Sequence, residues 1–152
     1  MTITADKVGR NLHITLEGAG EPFVIRPLPG NAGIQITDTY LNSMAGQTAD
    51  IVTALQMAVD GARKNAITGK WEPLPEEEQT NFQRIGDELS QEEGNDIIMP
   101  AFFWQTILGM DGVRAYISEG GGLPGTLKAS GALSQRLGRL LPRTSPKASA
   151  TD

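Results

Sequence analysis

Alternating apolar and polar positions appear early in the chain. Leu12, Ile14 and Leu16 alternate with His13, Thr15 and Glu17, the period of two that sends successive side chains to opposite faces of a sheet. Asn11 to Glu17 therefore reads as a half-buried strand. Gly18-Ala19-Gly20-Glu21 supplies a turn, and Phe23 to Arg26 a second β-branched run that Pro27 ends. The expectation is an N-terminal β-hairpin. Because an isolated hairpin is marginal in water, it should lie on a helical body.

Beyond Pro27-Leu28-Pro29-Gly30 the period lengthens. Asn31 offers a cap, and Ile34, Thr37 or Asp38, Leu41 and Ala45 form a weak helical stripe that Gly46 stops. Thr48 is placed to cap a clearer helix, in which Ile51, Val52, Leu55, Ala58, Val59 and Ala62 recur at helical spacing and Arg63 and Lys64 fall at the C-terminal end. Ala66 to Pro75, with Gly69, Pro73 and Pro75, reads as an exposed connection that Trp71 pins to the body. Glu76-Glu77-Glu78 after Pro75 opens another helix, carboxylates opposing the positive dipole end. Phe82, Ile85 and Leu89 mark its apolar face, and Gly94 is expected to end it.

The most apolar stretch follows, Ile97 to Leu108. Asn95 or Asp96 is the expected cap, which leaves Pro100 in or near the first turn, where a missing N–H costs least. Phe102, Phe103 and Trp104 stand consecutively, and consecutive helical residues point about 100° apart. They cannot all face one core unless the helix is surrounded. This helix is thus expected to be core on one side and a docking face on the other, with Phe102, Phe103, Trp104, Ile107 and Leu108 as candidate partner-binding residues. Gly109 closes it, and Met110 starts a short segment with Val113, Tyr116 and Ile117 on one side.

The rest divides by composition. Residues 1–119 read as β-hairpin plus helical body, 120–125 as a flexible Gly-rich linker, 126–141 as an amphipathic basic helix, and 142–152 as a disordered Ser/Thr/Pro-rich tail. In the basic helix Leu127, Ser130, Leu133, Leu137, Leu140 and Leu141 form the stripe. Lys128, Arg136, Arg139 and Arg143 lie opposite, a secondary basic face suited to phosphates or carboxylates. The fold class expected is mainly α: a small helical domain with an N-terminal β-hairpin and a disordered C-terminal tail.

Charge and composition narrow the chemistry. The net charge of −5 argues against a global basic field for nucleic acid or anionic membrane. Absent cysteine excludes disulfides, thiolate metal sites and cysteine nucleophiles. No secretory pattern opens the chain, and Ile97 to Leu108 is far shorter than the roughly 20 apolar residues of a membrane span. His13 is the only histidine and sits opposite the apolar face of its strand. The acidic pairs lack the spacing of a calcium loop, and no nucleophile elbow or phosphate loop is present. No enzyme, catalytic residue, cofactor or metal is expected.

Three segments carry a resemblance. Ile25-Arg26-Pro27-Leu28-Pro29-Gly30, then Arg84-Ile85-Gly86-Asp87-Glu88-Leu89-Ser90-Gln91-Glu92-Glu93, and then Phe102-Phe103-Trp104-Gln105-Thr106-Ile107-Leu108-Gly109 resemble the tail assembly chaperones of long-tailed phages infecting actinobacteria. The order of hairpin, helical body, Trp-Gln helix, Gly-rich linker and Ser/Thr/Pro-rich tail is similar over most of the length. The resemblance implies a non-catalytic protein of the host cytoplasm, absent from the mature virion. Such a protein coats the tape measure protein, keeps its apolar helices soluble, and helps recruit tail tube subunits. It also implies a longer frameshifted product, of which this chain would be the shorter form. Homo-oligomerisation is compatible with it; nucleic acid and membrane are not expected partners. The alternative is a structural virion protein of the tail or head–tail connector.

Overall fold

The computed structural model describes residues 2–140. The expectations for Leu141, for Arg143 and for a disordered tail over 142–152 lie outside the described residues, as does the side chain of Leu140. The fold is mainly α with an N-terminal antiparallel sheet.

The sheet has three strands rather than two. β1 (Ile3–Val8), β2 (Asn11–Leu16) and β3 (Phe23–Ile25) are ordered β1-β2-β3, both pairs antiparallel. The sequence pattern gives β2 and β3 but not β1, because its inward positions are Ile3, Ala5 and Lys7, and only Ile3 is a large apolar residue. Register supplies what hydrophobicity does not: Ile3 faces Leu16 and Val8 faces Asn11 across a two-residue turn. Gly9 stands at φ +62° in that turn, as tight hairpins require. The inner face, formed by Leu12, Ile14 and Leu16 with Phe23 and Ile25, is buried against the helices.

Two helices follow, α1 (Gly30–Met44) and α2 (Ile51–Asp60). Asp50 caps α2, accepting from the Thr53 N–H, in place of the expected Thr48. The helix also stops earlier than its stripe predicts. Gly61 (φ +106°) turns the chain, and Ala62–Lys64 becomes β4, paired with β5 (Trp71–Pro73). Arg63 and Lys64 are therefore strand residues, and the expected exposed connection is a second hairpin. Trp71 is tethered both by its half-buried side chain, packed against the core, and by its backbone: Gln35 on α1 donates Nε2–H to the Trp71 carbonyl (2.7 Å) and accepts its N–H (2.9 Å).

After a 3₁₀ turn at Glu76–Glu78 come α3 (Thr80–Glu88) and α4 (Gln91–Trp104). Ser90 and Glu93 form a reciprocal capping box, so α4 begins well before the expected cap at Asn95 or Asp96. Gly94 does not end a helix. It lies buried inside α4, where a Cβ would stand 2.8 Å from Ile85 Cγ2 of α3, so the glycine permits close helix approach. Pro100 is consequently interior, not in the first turn.

α4 ends at Trp104, short of Leu108. It packs on α2, α3, α5 (Met110–Ser118), α6 (Gly122–Leu140) and β2. The helix is surrounded, the one condition under which consecutive apolar residues can all be buried. Phe102 and Phe103 join Tyr40 in an aromatic cluster with ring centroids 4.7 to 5.8 Å apart.

The Gly-rich segment is not a flexible linker. Gly120, Gly121 and Gly122 all adopt left-handed φ (+81°, +79°, +64°), making a tight reversal, and α6 already starts at Gly122. Asp96, buried in α4, accepts from the Tyr116 hydroxyl (2.6 Å) and the Gly122 N–H (3.1 Å). One carboxylate thus joins α4, α5 and the first turn of α6. Burial and the adjacent Asp96 charge hold the Tyr116 hydroxyl well above its ordinary pKa, which keeps it a hydrogen-bond donor.

Candidate functional site

Of the five residues expected to bind a partner, three are core. Phe102 and Phe103, on the enclosed helix α4, are fully buried, and Leu108, in the connection to α5, nearly so; in the folded chain these three are packed inside and offer no exposed docking surface. Trp104 is half-buried against the core. Ile107 alone is exposed, at 46%.

Ile107 belongs to the short connection between α4 and α5, and local hydrogen bonds fix its position. The Thr106 hydroxyl donates to the Phe103 carbonyl (2.6 Å) and accepts the Leu108 N–H (3.2 Å). Gln105 clamps the other side: its amide donates to the carbonyls of Arg26 (2.8 Å) and Ala58 (3.0 Å), and its carbonyl accepts the Leu28 N–H (2.9 Å). All of this places Ile107 outward on a rigid base.

Two further elements meet it there. Gly33 of α1 packs so closely on this turn that a Cβ would stand 2.8 Å from the Gln105 carbonyl oxygen. That contact brings Ile34, Thr37 and Asp38 alongside Ile107, while Leu137 arrives from α6. The result is an open groove of about 390 Å³, walled by α1 and α6 and floored by residues 105–107. Ile34 is 62% exposed at its edge, and Leu137 is half-buried. Asp38, on the rim, forms no ion pair among the described residues. Ile34 and Leu137 each fall on an apolar stripe visible in sequence. What sequence did not show was that Gly33 lets the stripes converge on Ile107.

The basic face is largely answered within the chain. Lys128 contacts the Ser118 hydroxyl (2.9 Å) and Glu119 (3.4 Å), and Arg136 reaches Asp111 (3.3 Å). These pairs hold α6 against α5; only Arg139 among the described basic residues of this face lacks a counter-charge. Leu127 is exposed rather than part of the buried stripe, which runs through Ala129, Ser130 and Leu133. Ser130 bonds the Tyr40 hydroxyl at 2.6 Å, linking α6 to α1.

His13 lies on the solvent face of the sheet between Asp6 and Val24 of the flanking strands. Among the described residues there is no group of three or more His, Cys, Asp or Glu side chains placed to hold a metal ion. None of their helices is long and apolar enough to cross a membrane. Comparison of the chain with protein-family models, curated proteins and solved structures finds no match.

Proposed function

We propose that this protein is a non-catalytic tail assembly chaperone of a long-tailed phage, acting in the host cytoplasm. In this reading it binds apolar helical segments of the tape measure protein and helps bring tail tube subunits to them. The observation that carries the reading is the groove at the end of the Trp-Gln helix. Exposed Ile34 and Ile107 stand there on a rigid base, and Ile107 lies within a segment on which the family resemblance rests. An amphipathic helix laying its apolar face into such a groove needs no turnover, only burial of apolar surface.

Asp38 at the rim favours a partner segment carrying Lys or Arg beside its apolar stripe.

Co-expression and pull-down with the tape measure protein test the reading. Ile34→Lys and Ile107→Lys each place a charge on an exposed groove position, where stability should change by no more than about 0.5 kcal/mol. Each should weaken retention by about tenfold or more, the scale of a lost interface hot spot. Full retention by both folded variants would overturn the assignment of the groove. Mass spectrometry of purified particles separates the chaperone from a structural virion protein, because the chaperone should be missing and a tail or connector subunit present in many copies.

A further inference from the structure

The two edges of the three-stranded sheet are treated very differently. A sheet edge presents a row of unpaired N–H and C=O groups, and folded proteins usually cover or interrupt it. On the β3 edge every outward carbonyl is answered. Pro22 accepts from Arg84 (3.2 Å), Val24 from Asn81 (2.9 Å) and Arg26 from Gln105 (2.8 Å). Arg84 also lies over the Phe23 ring, 3.8 Å from its centroid. The strand is only three residues long and Pro27 follows closely.

The β1 edge has none of this. It is six residues long and free of proline. The Glu17 N–H donates to the Thr2 carbonyl, which fixes the ladder phase: Thr4, Asp6 and Val8 bond to β2, and Ile3, Ala5 and Lys7 turn their N–H and C=O outward. Among the described residues no further hydrogen bond reaches those outward groups. Beside the strand lies an open groove of about 420 Å³, bounded by Met110, Val113, Arg114, Ile117 and Ser118 of α5. It gives the inward side chains of an added strand somewhere to go.

We propose that β1 is a self-association edge: two copies of this chain pair antiparallel through β1, in the register centred on Ala5, giving one six-stranded sheet. Charge excludes two registers, and of the rest the one centred on Ala5 pairs the most outward backbone groups within the strand. A two-fold axis normal to the sheet requires residues opposite one another to share a face. Centring on Asp6 would oppose two carboxylates, and centring on Lys7 two ammonium groups, both unfavourable. Centring on Ala5 pairs Ala5 with Ala5, Thr4 with Asp6 and Ile3 with Lys7, so no like charges meet. It also hydrogen-bonds Ile3, Ala5 and Lys7 of each copy, the residues whose backbone groups are free. This surface shares no residue with the groove at Ile107 and stands independently of the function proposed there.

Sedimentation equilibrium of the full chain over a range of concentrations tests the proposal. The wild type should show a monomer–dimer equilibrium. Ala5→Pro removes an N–H that the monomer does not use, at an edge position where proline is tolerated, and should remain monomeric. Thr4 is exposed on the solvent face. Thr4→Lys should tighten the dimer by setting lysine opposite Asp6 twice, and Thr4→Asp should weaken it. Each shift should be about two- to thirtyfold. A wild type that stays monomeric throughout, or Thr4→Lys and Thr4→Asp moving the equilibrium in the same direction, would overturn the proposal. If Ala5→Pro fails to fold, as read by far-UV circular dichroism, the two exposed Thr4 variants decide alone.

Discussion

Asp60 ends α2, yet its carboxylate serves α3. Oδ1 accepts the Asn81 N–H at 2.9 Å and Oδ2 the Phe82 N–H at 2.8 Å, satisfying first-turn donors that the flanking Gln79 side chain leaves alone. Burial pushes this carboxyl above the usual aspartate range, outweighing the two backbone hydrogen bonds and the attraction of Arg26, which pull it down. A folded-state pKa above the unfolded one favours the folded protein while the group is protonated. That contribution is fully present below about pH 4 and is lost as pH rises through the folded pKa. Asp60→Asn keeps the shape without the titration, so the stability advantage of wild type over Asp60→Asn should be greatest below about pH 4 and smaller at neutral pH. Asp60→Ala, which leaves both amides without an acceptor, should cost about 1–3 kcal/mol. Urea unfolding of the three proteins at the two pH values measures both effects; a wild-type advantage that grows toward neutral pH would contradict the sign.

At the scale of elements, glycine is where sequence reading and structure part most often, because one residue type serves three purposes. Gly46 follows the end of α1 at φ +83°, as a helix stop should. Gly94 looks like a stop and is instead the crossing point of α3 and α4. Gly120 to Gly122 look like a linker and are a defined reversal anchored by Asp96. None of these roles differs in local sequence; they differ in what lies across from the glycine, which only the packed fold reveals. The capping box at Ser90 and Glu93 is legible as a motif, but the apolar run begins only at Ile97, four residues after Glu93, and that start draws the expected cap downstream. The turn can be tested by comparing two alanines. Gly120→Ala meets open space and should cost only the left-handed strain, about 1–2 kcal/mol. Gly121→Ala adds a Cβ 2.7 Å from Asp96 Oδ1 and 2.8 Å from Ile3 Cδ1. It should therefore cost clearly more, about 2–4 kcal/mol, with thermal unfolding as the measure. Equal effects would mean that the Asp96 anchor does not constrain the reversal.

For the whole molecule, the amphipathic stripes of α2 and α3 and the strands β2 and β3 could be read directly, since each is a periodic pattern with one buried face. The aromatic helix could not, because an element apolar all round is equally consistent with being enclosed or with having a free docking side. Enclosure comes from α2, α3, α5, α6 and β2 packing on the helix together, an arrangement that the hydrophobic pattern of no single segment announces. The structure divides the aromatic segment into two populations that mutation should separate. Phe103 is fully buried in contact with Tyr40 and Phe102, and Tyr40 is tied through Ser130 to α6, so a cavity at Phe103 opens at the junction of α1, α4 and α6. Phe103→Ala should destabilise the protein by about 3–5 kcal/mol, a large share of the 5–15 kcal/mol typical of a domain. Ile107→Ala, four residues on but exposed, should stay within about 0.5 kcal/mol and lower retention of an apolar partner helix. Chemical denaturation measures the first difference and pull-down the second. A Phe103→Ala protein of wild-type stability would show that the aromatic side chains are not enclosed, and would return the docking surface from the groove at Ile107 to the face of the helix itself.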